Sequence, residues 1–323
     1  QPTMALINHI DEDDYTTEWK RALGHYFKIV RTYNPMNVSL KQHLSILESM
    51  AQLKEEWTDS VKSSMVFFEQ YYDQMIERSA SSITKAVYKS VSFVETLGFD
   101  NEEASKEEKK SVEERYKESL RAVEKAAQKN IEMIWNHDHL QKDEPSLLLE
   151  GMDLFSEETA SVFGLTRKEL LITAAASGAA TGAGVDLLFA GSTLLLGAGL
   201  GAVIGGVGAF FAFDELSEVK VLGHTLGKRY LEMGPMSNRN FPYILLGRSI
   251  YHTTQIAKRS HAQRDIAALK MNSTFKEQWL DEDLRKSLEK YHKMFRSGKT
   301  LDVEVLNEYQ ALIKGVLEQL ILE

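Results

Sequence analysis

The chain contains no cysteine and only five prolines in 323 residues. Without thiols it has neither disulfides nor thiolate metal sites, and the composition fits a reducing compartment. Scarce proline leaves room for long helices. No G-x-x-x-x-G-K-[ST] phosphate loop occurs, no Asp-x-x-Gly stands at a plausible strand end, and no Gly-x-Ser-x-Gly nucleophile motif is present. The net charge of −9, the pI near 5.6 and the lack of a basic stripe interleaved with aromatics argue against a nucleic-acid partner. No secretory leader opens the sequence. It starts Gln1-Pro2, with Met4 as its first methionine, so Gln1 is not expected to be a natural start.

Charge is also missing from one long internal stretch. Between Glu169 and Asp214 the only charged side chain is Asp186. The run 170–213 is too long for a single membrane span of roughly 20 residues. Phe189-Ala190-Gly191-Ser192-Thr193 reads as a turn that divides it into arms at 170–188 and 194–213. Thr166 and Glu169 form a capping box ahead of the first arm. Gly178 and Gly182 in one arm, and Gly197, Gly201 and Gly205 in the other, recur every fourth residue. That spacing puts a smooth groove on each helix, so two backbones approach closely. Each glycine in a water-exposed helix costs about 1 kcal/mol against alanine, so the series needs a packing reason. An ionised aspartate at mid-bilayer costs about 3 kcal/mol on an insertion scale, a cost reduced when Asp186 sits near the hairpin tip. Two readings stay open: a hairpin that enters or docks on a membrane, and a buried hairpin in a soluble helical body.

The remainder is polar and helical. Ser39 and Gln42 make a capping box, and apolar residues then recur at helical spacing from Leu44 to Val94, predicting one very long helix or two in series that stop at Gly98. A further helix follows Asp100, with Glu103 completing its cap. Its stripe Val112, Tyr116, Leu120, Val123, Ala127, Ile131, Ile134 steps 4-4-3-4-4-3, an eleven-residue repeat suited to a nearly straight pairing. The two are expected to pack antiparallel as a stalk, with the charged start of the second (102–118) solvated. Short strands are expected at 219–222 and 229–233, a helix at 243–270, and amphipathic helices near 279–296 and 302–322. The flank of the 243–270 helix carries Arg248, Lys258, Arg259, His261, Arg264 and Lys270. This flank is open to two readings, contact with anionic headgroups or a solvated face paired with acids.

Residues 1–38 read differently. Thr3–Ile7 is a strand, 14–25 a helix with Trp19 and Leu23 on one face, and Tyr26–Arg31 a second strand. Such an α/β fragment requires further strands beside it. Asn8-His9-Ile10-Asp11 follows the first strand directly. Asn-x-x-Asp at a strand end is how P-loop GTPases read guanine: the carboxylate accepts from the ring N1–H and the 2-amino group, which adenine cannot offer.

With that order of elements, and with the Gly182–Gly191 segment GAGVDLLFAG, the chain resembles the Era/TrmE/septin-like GTPases whose G domain precedes a helical C-terminal domain of unknown function. The resemblance implies that Asn8 and Asp11 read the base, with His9 in place of the usual lysine. It also implies that GTP and Mg²⁺ enter only with an upstream half. Ser297-Gly298-Lys299-Thr300 is not a phosphate loop, since Lys293 stands where the first glycine belongs; it reads as a helix C-cap. His137-Asp138-His139 reads as a helix end rather than a metal site.

The expected fold is mainly α: a long antiparallel helical stalk and a Gly/Ala-rich apolar hairpin, preceded by a short α/β remnant of a P-loop domain. The expected division is 1–38, 39–145, 146–218 and 219–323. Alone, the chain is expected to bind no cofactor, hold no metal and hydrolyse no GTP. The leading functional reading is a GTPase-family region that couples a nucleotide switch to a membrane or protein partner, in the cytoplasm or at its membrane. A soluble interaction or scaffold module that self-associates, and a pore-forming effector, are the alternatives.

Overall fold

The computed structural model describes residues 3–8, 15–34, 38–99, 104–137, 153–156, 159, 220–221, 224–225, 229–259, 279–297 and 301–322. The apolar run, with Gly178, Gly182, Asp186, Gly197, Gly201, Gly205 and the Thr166 cap, lies outside them, as does Asp11.

The chain opens with strand β1 (Ala5–Ile7), helix α1 (Thr16–Gly24) and strand β2 (Val30–Thr32). The strands pair in parallel, Ala5 opposite Val30 and Ile7 opposite Thr32. Helix α2 (Leu40–Leu53) begins at Ser39, whose hydroxyl accepts from the Gln42 amide at 3.3 Å. A single 3-10 turn at Glu55–Trp57 separates it from α3 (Thr58–Ser92), so the long apolar pattern is two helices in series. Strand β3 (Glu95–Phe99) runs straight through Gly98, which is therefore not a helix stop. The helix already ends at Ser92, and Gly98 sits opposite Tyr230 in an antiparallel ribbon with the strand Arg229–Met233. Pairing with a strand over a hundred residues away overrides the local signal.

Helix α4 (Lys106–Ile134) starts five residues later than an Asp100 cap completed by Glu103 would place it. Its capping box is Ser105 with Glu108: the Glu108 amide reaches the serine hydroxyl at 3.1 Å and the Glu108 carboxylate accepts the Ser105 amide at 2.7 Å. Every member of the eleven-residue stripe is buried except Val123, which is partly so. The helix stops at Asn136, whose φ of 58° ends it in the left-handed region. Asn130 bonds Ser82, Trp135 bonds Ser79 and Asn136 bonds Tyr71, each near 3.0 Å. As one number rises the other falls, so α3 and α4 are antiparallel, as expected.

Strands β4 (Lys220–Val221) and β5 (His224–Thr225) form a minimal hairpin, and β6 (Arg229–Met233) completes the ribbon with β3. Three helices close the fold: α5 (Phe241–Lys258), α6 (Glu282–Arg296) and α7 (Val303–Leu322). Helix α6 ends at Ser297, whose amide caps the Met294 carbonyl, as read from the sequence.

One core spans both halves of the chain. Its axis is the second half of α3, with α2, α4, α5, α6 and α7 packed around it. There Ser79, Ala80, Ser82, Thr84, Ala86 and Ser90 are buried alongside Ile76, Ile83, Val87 and Val91. Small side chains on most faces let five helices approach one backbone. Ser49 and Ser92 return their hydroxyls to the carbonyl four residues earlier, a local way to bury a polar group.

Candidate functional site

Two places gather chemistry. The first is the β1–α1–β2 unit. Asn8 is exposed and directly follows β1. The Ile7 carbonyl just before it takes the Tyr33 amide at 2.8 Å, so the first strand ends where the loop after β2 begins. Leu6, Trp19 and Tyr26 are exposed, Tyr26 at 85 %. Leu23 is half-buried while Trp19 is exposed, so α1 shields the pair only in part. The unit meets the helices through rings: Tyr33 lies 6.3 Å from His43 of α2, His43 stacks on Phe68 of α3 at 5.2 Å, and Tyr72 meets Trp135 at 5.7 Å. Burial lowers the His43 pKa and keeps its ring neutral.

The second is a polar seam between α4 and α5. Arg248, 2 % exposed, donates to both oxygens of buried Glu124, at 2.5 and 3.1 Å. Its Nη1 donates to Thr159 Oγ1 at 3.0 Å, and that hydroxyl donates to the Asp153 carbonyl at 2.8 Å. One turn along, fully buried His252 faces Glu132 at 3.4 Å. Desolvation pushes the His252 pKa down to about 4. The Gln128 backbone works against this and the Arg248 charge adds to it, so the ring is neutral. At the edge of the seam Arg121 clasps Asp153. Burial works to raise the Asp153 pKa, but Arg121, the Phe155 amide and Arg248 outweigh it and hold the carboxyl below its ordinary range.

Arg248 therefore does not join a lipid-facing flank; it points into the core. Arg248 and His252 are four apart in a helix buried on nearly every face, whose sequence FPYILLGRSIYHTTQIAK has no continuous polar side. Glu124, Gln128 and Glu132 repeat at four-residue spacing beside the stripe of α4. Those two matched ladders were the legible signal of a buried polar seam. His261, Arg264 and Lys270 fall outside the described residues.

A third buried polar group joins α5, α6 and α7. His292 Nε2 lies 3.0 Å from the Tyr309 hydroxyl, and Tyr243 donates to Glu289 at 3.2 Å. Desolvation takes His292 down to about 3. A cleft of about 270 Å³ between α4 and β6 is lined by Lys106, Lys109, Lys110, Glu113 and Glu232. His137 is buried at the end of α4, its amide bonded to the Glu132 carbonyl, while Asp138 and His139 are outside the described residues. Among the described residues no cluster of three or more His, Asp or Glu is placed to hold a metal, and no helix is long and apolar enough to cross a membrane.

No curated protein and no solved structure matches the chain. Residues 20–317 match the family described as Domain of unknown function (DUF3482). The match runs from α1 to α7, takes in the stalk, the polar seam and the closing helices, and thus places the chain in that family.

Proposed function

We propose that the chain is the helical C-terminal region of a GTPase-family protein, passing the state of an upstream nucleotide switch along its stalk to a membrane or protein partner. One observation carries this reading: β1 and β2 are a parallel pair with no third strand among the described residues, and apolar Leu6, Trp19 and Tyr26 stand exposed around them. Parallel sheets are normally covered on both faces, and a two-stranded one is marginal alone. Further strands of an α/β domain would complete it. Asn8 and Asp11 would read guanine at the open end, with GTP and Mg²⁺ held by the upstream half. The ring contacts from Tyr33 to Trp135 would couple that domain to the stalk.

The test is nucleotide binding by the full-length gene product. An amide at position 11 cannot accept from both guanine donors, so Asp11→Asn should weaken guanine nucleotide binding about a hundredfold and favour xanthine nucleotide. Unchanged guanine affinity refutes base reading. Membrane docking is tested separately by vesicle flotation with and without residues 170–213; identical behaviour rules out the hairpin as anchor. Dye release from the same vesicles separates pore formation from docking. A second reading, a helical interaction module, draws on Val66 and Phe67, both exposed on α3. Concentration-dependent self-association abolished by Phe67→Ser would favour it.

A further inference from the structure

Aromatic rings form a continuous band along one side of the helical body. The band starts at Tyr33, just beyond β2, and passes through His43 of α2 to Phe68, Phe67 and Tyr71 of α3. Successive ring centres lie 6.3, 5.2, 6.1 and 6.4 Å apart. Tyr71 ends it, its hydroxyl accepting from Asn136 at the close of α4. Tyr33, His43, Phe68 and Tyr71 are half-buried, but Phe67 is 63 % exposed and Val66 beside it 49 %. Between Lys62 and Asp73 the helix carries one charge, Glu69. Isolated apolar side chains at a surface are ordinary. These are contiguous and poor in charge, the pattern of an interaction face.

The band is continuous at one end with the contact between the β1–α1–β2 unit and the helices. Tyr33 belongs to that unit, and its ring meets His43. The unit is itself short of cover: β1 and β2 pair in parallel, and Leu6, Trp19 and Tyr26 are exposed around them. Strands that complete the pair would bring a domain beside the start of the band. A domain of about 100 residues has a radius of gyration of about 13 Å, so its width exceeds the three ring steps from Tyr33 to Phe67. One occupant therefore covers both the open sheet and the exposed rings. A second copy seated on the rings would leave the sheet open.

We infer that Val66 and Phe67 form a docking face on α3 for the α/β domain whose strands complete β1 and β2. The inference rests on the reading above that such a domain lies upstream, and adds the place where it meets the stalk. The domain is then held at two points, its own sheet and the outer half of α3. The second half of the same helix is the axis of the bundle, so a shift of the domain against the stalk bears directly on the core.

The experiment uses the purified full-length gene product carrying the photocrosslinker p-benzoylphenylalanine in place of Val66 or Phe67. Both side chains are exposed, so the bundle should keep its fold, which circular dichroism checks. The control position is Lys85, exposed on the same helix about 27 Å away. Irradiation should join positions 66 and 67 to the segment upstream of Gln1 within one polypeptide, as read by peptide mass spectrometry. Position 85 should give no such product. Crosslinks between two copies overturn the inference and favour self-association. Crosslinks confined to residues 1–323, no crosslinks, or equal capture of the upstream segment from position 85 overturn it too. Guanine recognition is decided apart from this by Asp11→Asn. Unchanged guanine affinity with upstream crosslinks removes base reading and leaves the docking face; weakened guanine affinity without those crosslinks does the reverse.

Discussion

Removing the Arg248 charge should be among the most damaging single changes in the bundle. In Arg248→Met, Glu124 keeps its place 6 % exposed and loses both guanidinium contacts. An unpaired buried charge of this kind costs about 3–5 kcal/mol. Glu124→Leu should cost a similar amount, because Arg248 then loses both carboxylate contacts while its charge stays buried. The double variant Glu124→Leu/Arg248→Met removes both charges together. Its residual cost should be about 1–2 kcal/mol, from the lost Thr159 contact and imperfect packing. The cycle therefore predicts a coupling of several kcal/mol between sites 124 residues apart in the chain. Urea unfolding followed by far-ultraviolet circular dichroism measures it, with a common slope for all four proteins. Single-variant costs that simply add would refute the reasoning.

The buried histidines set a second dependence. With folded pKa values of about 4 for His252 and about 3 for His292, against 6.5 unfolded, the unfolded chain takes up protons first as pH falls. From pH 7 to pH 5 each should withdraw about 2 kcal/mol of stability, and His252→Gln should remove about half of that slope in urea titrations at the two pH values. Glycine positions should respond in opposite senses. At Gly234, φ is +111° and a Cβ would fall 2.1 Å from the Phe93 carbonyl oxygen, so Gly234→Ala should lower the thermal midpoint sharply. Gly315 lies inside α7 with nothing near an added Cβ, so Gly315→Ala should stabilise by about 0.5–1 kcal/mol.

Much of the helical frame was legible because burial and period agree there. The stripe from Val112 to Ile134, the Ser39 cap and helices α6 and α7 each follow from residues that decide their own local structure. The errors fall where a distant partner decides. Gly98 looks like a helix end and is instead strand, because Tyr230 lies opposite it. The start of α4 is the exception, decided locally by the complete reciprocal box of Ser105 and Glu108 beyond Glu103. Arg248 read as surface because charge is usually solvated, and the Glu124 carboxylate that makes its burial tolerable stands on another helix. In the candidate site the strand before Asn8 was legible from its apolar letters, whereas the turn at Asp153 was not. Its hold depends on Arg121 and Arg248, which no local pattern links.

The central position of α3 has a consequence for biosynthesis. Its principal partner α7 leaves the ribosome about two hundred residues later, roughly 10–40 s at ordinary elongation rates. Through that interval the nascent chain carries a finished axle without its last bearing, and Ile76, Ile83 and Val87 lack part of their final cover. Translation pauses or truncations before residue 303 should therefore yield polypeptides that chaperones retain and proteases clear.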